Sequence, residues 1–135
     1  MNAPAPMPPS VITLASSHDF ETTVSRLKDV LQARNITLFA DIDQSAAATA
    51  AGTSLRPTRL LLFGNPKAGT PIMQLNPHAA LELPLRAVVW EDEAQRVYLD
   101  YLDVTQVLGT EYGIDAAQYA PLSAMPKLLQ AVAGS

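Results

Sequence analysis

Residues 55–85 read LRPTRLLLFGNPKAGTPIMQLNPHAALELPL, and their pattern governs how the rest of the chain is interpreted. The run 59–63 is apolar after its arginine and predicts a buried strand. It leads into Gly64-Asn65-Pro66-Lys67-Ala68-Gly69-Thr70-Pro71, where two glycines would let backbone N–H groups converge. Pro71 suits a first helical position and Thr70 the cap before it, so a short helix is expected from there. A loop ending at a helix N-terminus can hold an anion. Lys67 would supply a point charge, and Arg59 or Arg56 could reach from the preceding strand. The lysine precedes the second glycine, so the spacing is not that of the phosphate loop of nucleotide triphosphatases. The competing interpretation is a tight strand-to-helix connection, with Asn65 satisfying neighbouring backbone and Pro66 stiffening the turn.

Upstream, 11–15 predicts a first strand. Asp19 then caps a helix whose stripe Phe20, Val24, Leu27 and Leu31 recurs at helical spacing, with Glu21 in the first turn and Asn35 as a left-handed stop. A second strand is expected over 36–42, and an alanine-rich helix over 44–51 that ends at Gly52. Downstream, Pro77 and Pro84 interrupt the chain. The runs 85–90 and 96–101 flank the polar turn 91–95 and read as an antiparallel hairpin. A helix near 104–109 precedes a terminal helix bearing Leu122, Met125, Leu128, Leu129 and Val132. Both faces of the hairpin are apolar: Val88 and Trp90 alternate with Ala87 and Val89. The hairpin is therefore expected to be covered twice, by its own helices and by a second subunit. The economical architecture is α+β: a single two-layer domain over 11–135, with a mixed, partly parallel sheet of about five strands and helices packed on it. Residues 1–10, MNAPAPMPPS, form a proline-rich, uncharged tail that is expected to be flexible.

The 135 residues contain no cysteine, which excludes disulfides, thiolate metal sites and cysteine catalysis. No apolar run approaches the roughly 20 residues that span a bilayer, and the start lacks the basic and apolar regions of a signal peptide. A cytoplasmic protein with no membrane contact is expected. The net charge of −4 argues against nucleic acid as a partner. The charge is uneven: residues 44–90 carry four cations (Arg56, Arg59, Lys67, Arg86) against Glu82 alone, whereas the remainder carries five against twelve acids. A basic middle of this kind could gather around a small anion, or its cations could be scattered or paired with the acidic remainder.

Three further groups bear on chemistry. Asp41 and Asp43 stand two apart on a strand and share a face, where a carboxylate pair can share a proton or bind a hard cation. The plainer role for Asp43 is to cap the following helix. His18 and His78 lack ligand spacing, so no metal is expected. Ser16 and Ser17 do not make a triad with His18, because strand neighbours point to opposite faces.

The segments Phe39-Ala40-Asp41-Ile42-Asp43, Leu55-Arg56-Pro57-Thr58, Leu62 through Met73 (LFGNPKAGTPIM) and Leu83-Pro84-Leu85 resemble the domain of unknown function 302 family, a likeness covering about 11–131. The resemblance implies a small α+β domain, commonly a homodimer, and implies neither a reaction nor a cofactor. Members often carry histidine where this chain has Gln44, so a metal or haem role for an imidazole there does not carry over. Three functional readings stand. The first is a protein that binds a small anionic or amphipathic ligand through Arg56, Arg59, Asn65, Lys67, Gly69, Thr70 and Met73. The second is an enzyme using Asp41 or Asp43 as acid or base. The third is a structural or regulatory homodimeric interaction module.

Overall fold

The computed structural model describes residues 5–134. Residues 1–4 of the expected tail and Ser135 lie outside the described residues, while residues 5–9 are exposed. Five strands, β1 (Val11–Ala15), β2 (Thr37–Asp43), β3 (Thr58–Gly64), β4 (Leu85–Glu91) and β5 (Val97–Leu102), form one sheet in the order β1-β5-β4-β3-β2. Among the described residues six helices accompany them: α1 (Phe20–Ala33), α2 (Gln44–Ala50), α3 (Pro66–Leu75), α4 (Val104–Glu111), α5 (Ala116–Tyr119) and α6 (Met125–Ala133). Short 3-10 turns occupy Pro77–Leu81 and Ala120–Leu122.

The α+β class, the five strands and the helix packing agree with the sequence reading, but the sheet is not mixed. Every strand pairing is antiparallel. Helix length explains the difference. A seven-residue strand is about 23 Å long, and the 14-residue α1 at about 21 Å can carry the chain back along it. β1 and β2 accordingly run the same way, but they sit at opposite edges of the sheet and never pair. The seven-residue α2 spans only about 10 Å, too little for a return crossover, so β3 starts where β2 ended and runs against it.

Local chemistry sets the element ends. Asp19 accepts from the Thr22 amide at 2.8 Å to open α1, and Asn35 at φ 56° ends it. The β4–β5 turn is closed by Asp92, whose Oδ1 accepts from the amides of Ala94 and Arg96 at 2.9 Å each, with Gln95 at φ 63°. α1, α3, α4 and α6 pack on one face of the sheet, while α2 buries none of its residues. There Leu27 and Leu31 of α1 and Leu129 and Val132 of α6 join Leu61, Phe63, Val89 and Leu99 of the strands, together with Ile72 and Leu108, in one buried cluster. The opposite face carries no helix of its core and keeps Leu60, Leu62, Val88, Trp90, Tyr98 and Leu102 half-buried.

Candidate functional site

The segment Gly64 to Thr70 is mostly helix rather than loop. α3 begins at Pro66, five residues before the expected start, so Pro71 lies inside the helix and Thr70 is not its cap. The earlier start is favoured by Asn65, whose Oδ1 accepts from the Lys67 amide at 2.9 Å, and by Pro66, which fits a first helical position. The amides of Ala68 and Gly69 both donate to the Asn65 carbonyl, at 2.9 and 3.0 Å. Pro66 has no N–H, so the donors at this helix N-terminus are already engaged. An amide cradle for an anion is not what these residues build. The missing N–H of Pro71 instead leaves the Lys67 carbonyl without its helical donor.

These residues do border a cavity of about 250 Å³. Pro66, Gly69, Thr70 and Met73 line it from one side of α3, at the spacing of a single helix face. Gly64 closes the end of β3, Phe39 contributes from β2, Leu83, Pro84 and Leu85 lead into β4, and Leu122 comes from the C-terminal part of the chain. A Cβ on Gly64 would stand 3.7 Å from Pro84 Cβ and 3.8 Å from the Phe39 ring, and one on Gly69 would stand 3.6 Å from Leu83 Cδ1. The lining is aliphatic and aromatic, with Asn65 and Thr70 as its polar members and no charged side chain. Three of the segments quoted above for the family resemblance, those containing Phe39, Gly64–Met73 and Leu83–Leu85, converge here.

The cations do not converge. Lys67 is exposed in the first turn of α3 and does not line the cavity. Arg56 donates from Nη1 to the Asp92 carbonyl at 3.2 Å, beside the β4–β5 turn. Arg59 grips Asp41 with both arms, Nε to Oδ1 at 2.8 Å and Nη2 to Oδ2 at 2.6 Å, and Lys28 of α1 meets the same Oδ2 at 2.5 Å. The Arg59 fork is the main reason that the Asp41 carboxyl is held down to about 2, and Asp41 raises Arg59 in return. Asp41 is therefore ionised at any ordinary pH and a poor proton acceptor. Asp43 caps α2, its Oδ1 accepting from the Ala46 amide at 2.9 Å, as the spacing had suggested. Neither carboxylate borders the cavity, and among the described residues no cluster of three His, Asp or Glu side chains could hold a metal. His18 Nε2 contacts the Gly134 carbonyl at 2.7 Å and helps fasten the C-terminus to the start of α1.

Sequence reasoning missed Phe39, Leu83, Pro84, Leu85 and Leu122. Phe39 stands at the point where the β2–β3 register shifts, between Leu38 and Ala40, a displacement that alternation along a strand does not show. Leu122 is 38 residues beyond Pro84 and its spacing predicts a place in the terminal helix, whereas it belongs to a 3-10 turn ahead of α6.

Comparison with known proteins gives the following. The model of the family described as "Domain of unknown function DUF302" matches residues 12–132. A crystal structure of an uncharacterized conserved DUF302 protein from Bacillus stearothermophilus superposes with a TM-score of 0.76 at 18% identity, covering 93% of this chain and 97% of that one; it shows the fold. Two relatives are 37% identical over 93 residues, 69% of this chain: the fluoride-specific ion channels FluC 1 of Brucella suis and FluC 2 of Brucella melitensis. The match spans only 37% and 34% of their respective lengths, about a third of each relative. Among the described residues of this chain, no helix is long and apolar enough to cross a membrane.

Proposed function

This chain belongs to the DUF302 family, and from that premise we propose that it is a binding module for a small amphipathic ligand, held in the cavity between α3, the end of β3 and the Leu83–Leu85 segment. The observation that carries the reading is the cavity's chemistry: about 250 Å³ of apolar lining with only Asn65 and Thr70 to orient a ligand. Ligand sites are typically concave, mostly apolar and furnished with a few polar groups. The volume accommodates an aliphatic chain or a single ring rather than a nucleotide. Lys67, free of any ion pair among the described residues, is the nearest cation in sequence to the lining and would meet an acidic end that protrudes. Arg56 and Arg59, engaged with Asp92 and Asp41, play no part in this reading.

The test is native mass spectrometry on protein purified without added ligand. An adduct of constant small mass, lost on Gly69→Leu and weakened on Lys67→Ala, supports the reading. Gly69→Leu projects into the space between Leu83 and Met73, which a Cβ there would approach to 3.6 and 3.9 Å. An adduct that survives Gly69→Leu sinks it.

A second reading is favoured by the relatives. A segment resembling this chain occurs within longer proteins named as fluoride channels, although no described helix here could itself be membrane-spanning. The module would then be an accessory domain whose role is docking and regulation. In both readings we take the working unit to be a homodimer, as the two apolar faces of the β4–β5 hairpin suggest. Asp41 and Asp43 are bound to partners and lie outside the cavity, so neither is placed to act there as acid or base.

A further inference from the structure

Strand register lays out the uncovered face of the sheet as a grid. One row runs Thr13, Asp100, Val88, Leu60, Ile42; the next runs Val11, Leu102, Arg86, Leu62, Ala40; a third runs Ala15, Tyr98, Trp90, Thr58. Most positions are apolar. The exceptions in the middle are one anion and one cation. Asp100 Oδ2 accepts from Trp90 Nε1 at 3.0 Å, but its Oδ1 is buried without a partner. Arg86 lies diagonally across from it, exposed, with only a loose contact of 3.9 Å to Glu82. Among the described residues no cation pairs with Asp100, and the Trp90 N–H is the one donor its side chain meets.

We propose that the face is completed by a second copy of the chain, packed sheet against sheet about a two-fold axis, with Arg86 of each copy reaching Asp100 of the other. The proposal rests on the homodimer reading above and assigns its interface. Charge complementarity supports a copy over an unrelated partner, because a two-fold axis sets one exposed Arg86 against each Asp100 side chain from the same two residues. An axis that exchanges Arg86 with Asp100 runs close to Val88 and Leu102 in the grid, so each meets its own counterpart in an apolar contact at the centre. Size supports it too. Five strands about 4.8 Å apart and about 20 Å long present a plane of roughly 400–500 Å², and side chains standing off it raise the accessible area toward the roughly 800 Å² per partner of a stable interface. Sheets packed in this way stand about 10 Å apart, a distance that the side chains of this face can fill.

The experiment is sedimentation equilibrium at about 10 μM on the full chain and three variants. Wild type is expected to be a dimer. Leu60→Glu is expected to be a monomer with unchanged far-UV circular dichroism, since it alters only the open face. Asp100→Lys and Arg86→Glu are each expected to weaken dimerisation at least tenfold by placing like charges together. Mixed in equal amounts they are expected to restore it, because the heterodimer recovers both ion pairs. Pairing of Arg86 with Asp100 inside one chain would give no such rescue. A monomeric wild type overturns the homodimer reading itself. A dimer that persists in Leu60→Glu, or an absence of rescue on mixing, leaves a homodimer but overturns this interface. If Asp100→Lys does not fold, Leu60→Glu decides alone.

Discussion

The two faces of the sheet are built from the same five strands and nearly the same residue types, yet they have different roles. On the helix side, Leu61, Phe63, Val89 and Leu99 are fully buried under α1 and α6. On the other side, Leu60, Leu62, Val88 and Leu102, their immediate neighbours along the strands, are only half-buried. An antiparallel sheet with one face on the core and one in water normally alternates apolar with polar residues. Here the alternation is largely missing, and the surplus apolar residues sit where no part of the described chain covers them. The helix side accounts for folding; the open side has the composition of a contact surface.

The sharpest way to break this comparison is a matched pair of truncations. Leu61→Ala should cost about 3 kcal/mol in chemical denaturation, because it leaves a cavity in a closed core. Leu60→Ala, measured at a protein concentration low enough that the chain is monomeric, should cost under about 1 kcal/mol. Equal costs would mean that the two faces are equivalent.

A smaller effect is expected at the edge, where the Asp41 carboxylate ties Lys28 of α1 to Arg59 of β3 in addition to the packing of the core. Asp41 is ionised with a folded value of about 2 against an ordinary 3.8. Its contribution is therefore present above about pH 4 and lost as pH falls through 2. After allowance for solvent screening around the partly exposed Lys28 it amounts to about 1–2 kcal/mol. Asp41→Asn should remove that stability at neutral pH and flatten the dependence of stability on pH between 4 and 2. A variant that keeps the wild-type acid slope would show that another group titrates there.

At the cavity the expected changes are smaller still, and one is favourable. Gly69 is a helix-interior glycine without positive φ, and a Cβ there makes ordinary contacts of 3.6 and 3.9 Å. Gly69→Ala should stabilise the fold by about 1 kcal/mol in thermal or chemical denaturation while narrowing the cavity. Such a gain would mean that the glycine is kept for room rather than for backbone shape. The smallest effect belongs to Lys67→Ala, within about 0.5 kcal/mol in stability. If it unfolds the protein, the segment is structural and the binding reading loses its cation.

Features that depend on a few consecutive residues were legible in advance. The Asp19 and Asp43 caps and the polar β4–β5 turn each rest on a side chain meeting backbone within four residues, and the stop at Asn35 on that residue's tolerance of positive φ. The start of α3 is also local, and it was misplaced because Asn65-Pro66 and Thr70-Pro71 are both competent cap-and-proline pairs. The candidate site was legible in part: Asn65, Gly69, Thr70 and Met73 do share a cavity, whereas Arg56, Arg59 and Lys67 do not border it. Whether an arginine is free for a ligand depends on what the register places beside it. Asp41 faces Leu61 across the β2–β3 pair, one diagonal step from Arg59, and no pattern within either strand reveals that.

By itself, then, the sequence determined the α+β class, the number of strands, the apolar stripes and most of the caps, because periodicity and capping are interactions between near neighbours. Only the tertiary structure decided the strand order, the antiparallel sense throughout, the partnership of Arg59 with Asp41, the closing of one cavity by Phe39, Leu83 and Leu122, and the stranded oxygen of Asp100. Each of these joins residues distant along the chain. Their meeting depends on helix lengths and sheet register acting together, which no local pattern encodes.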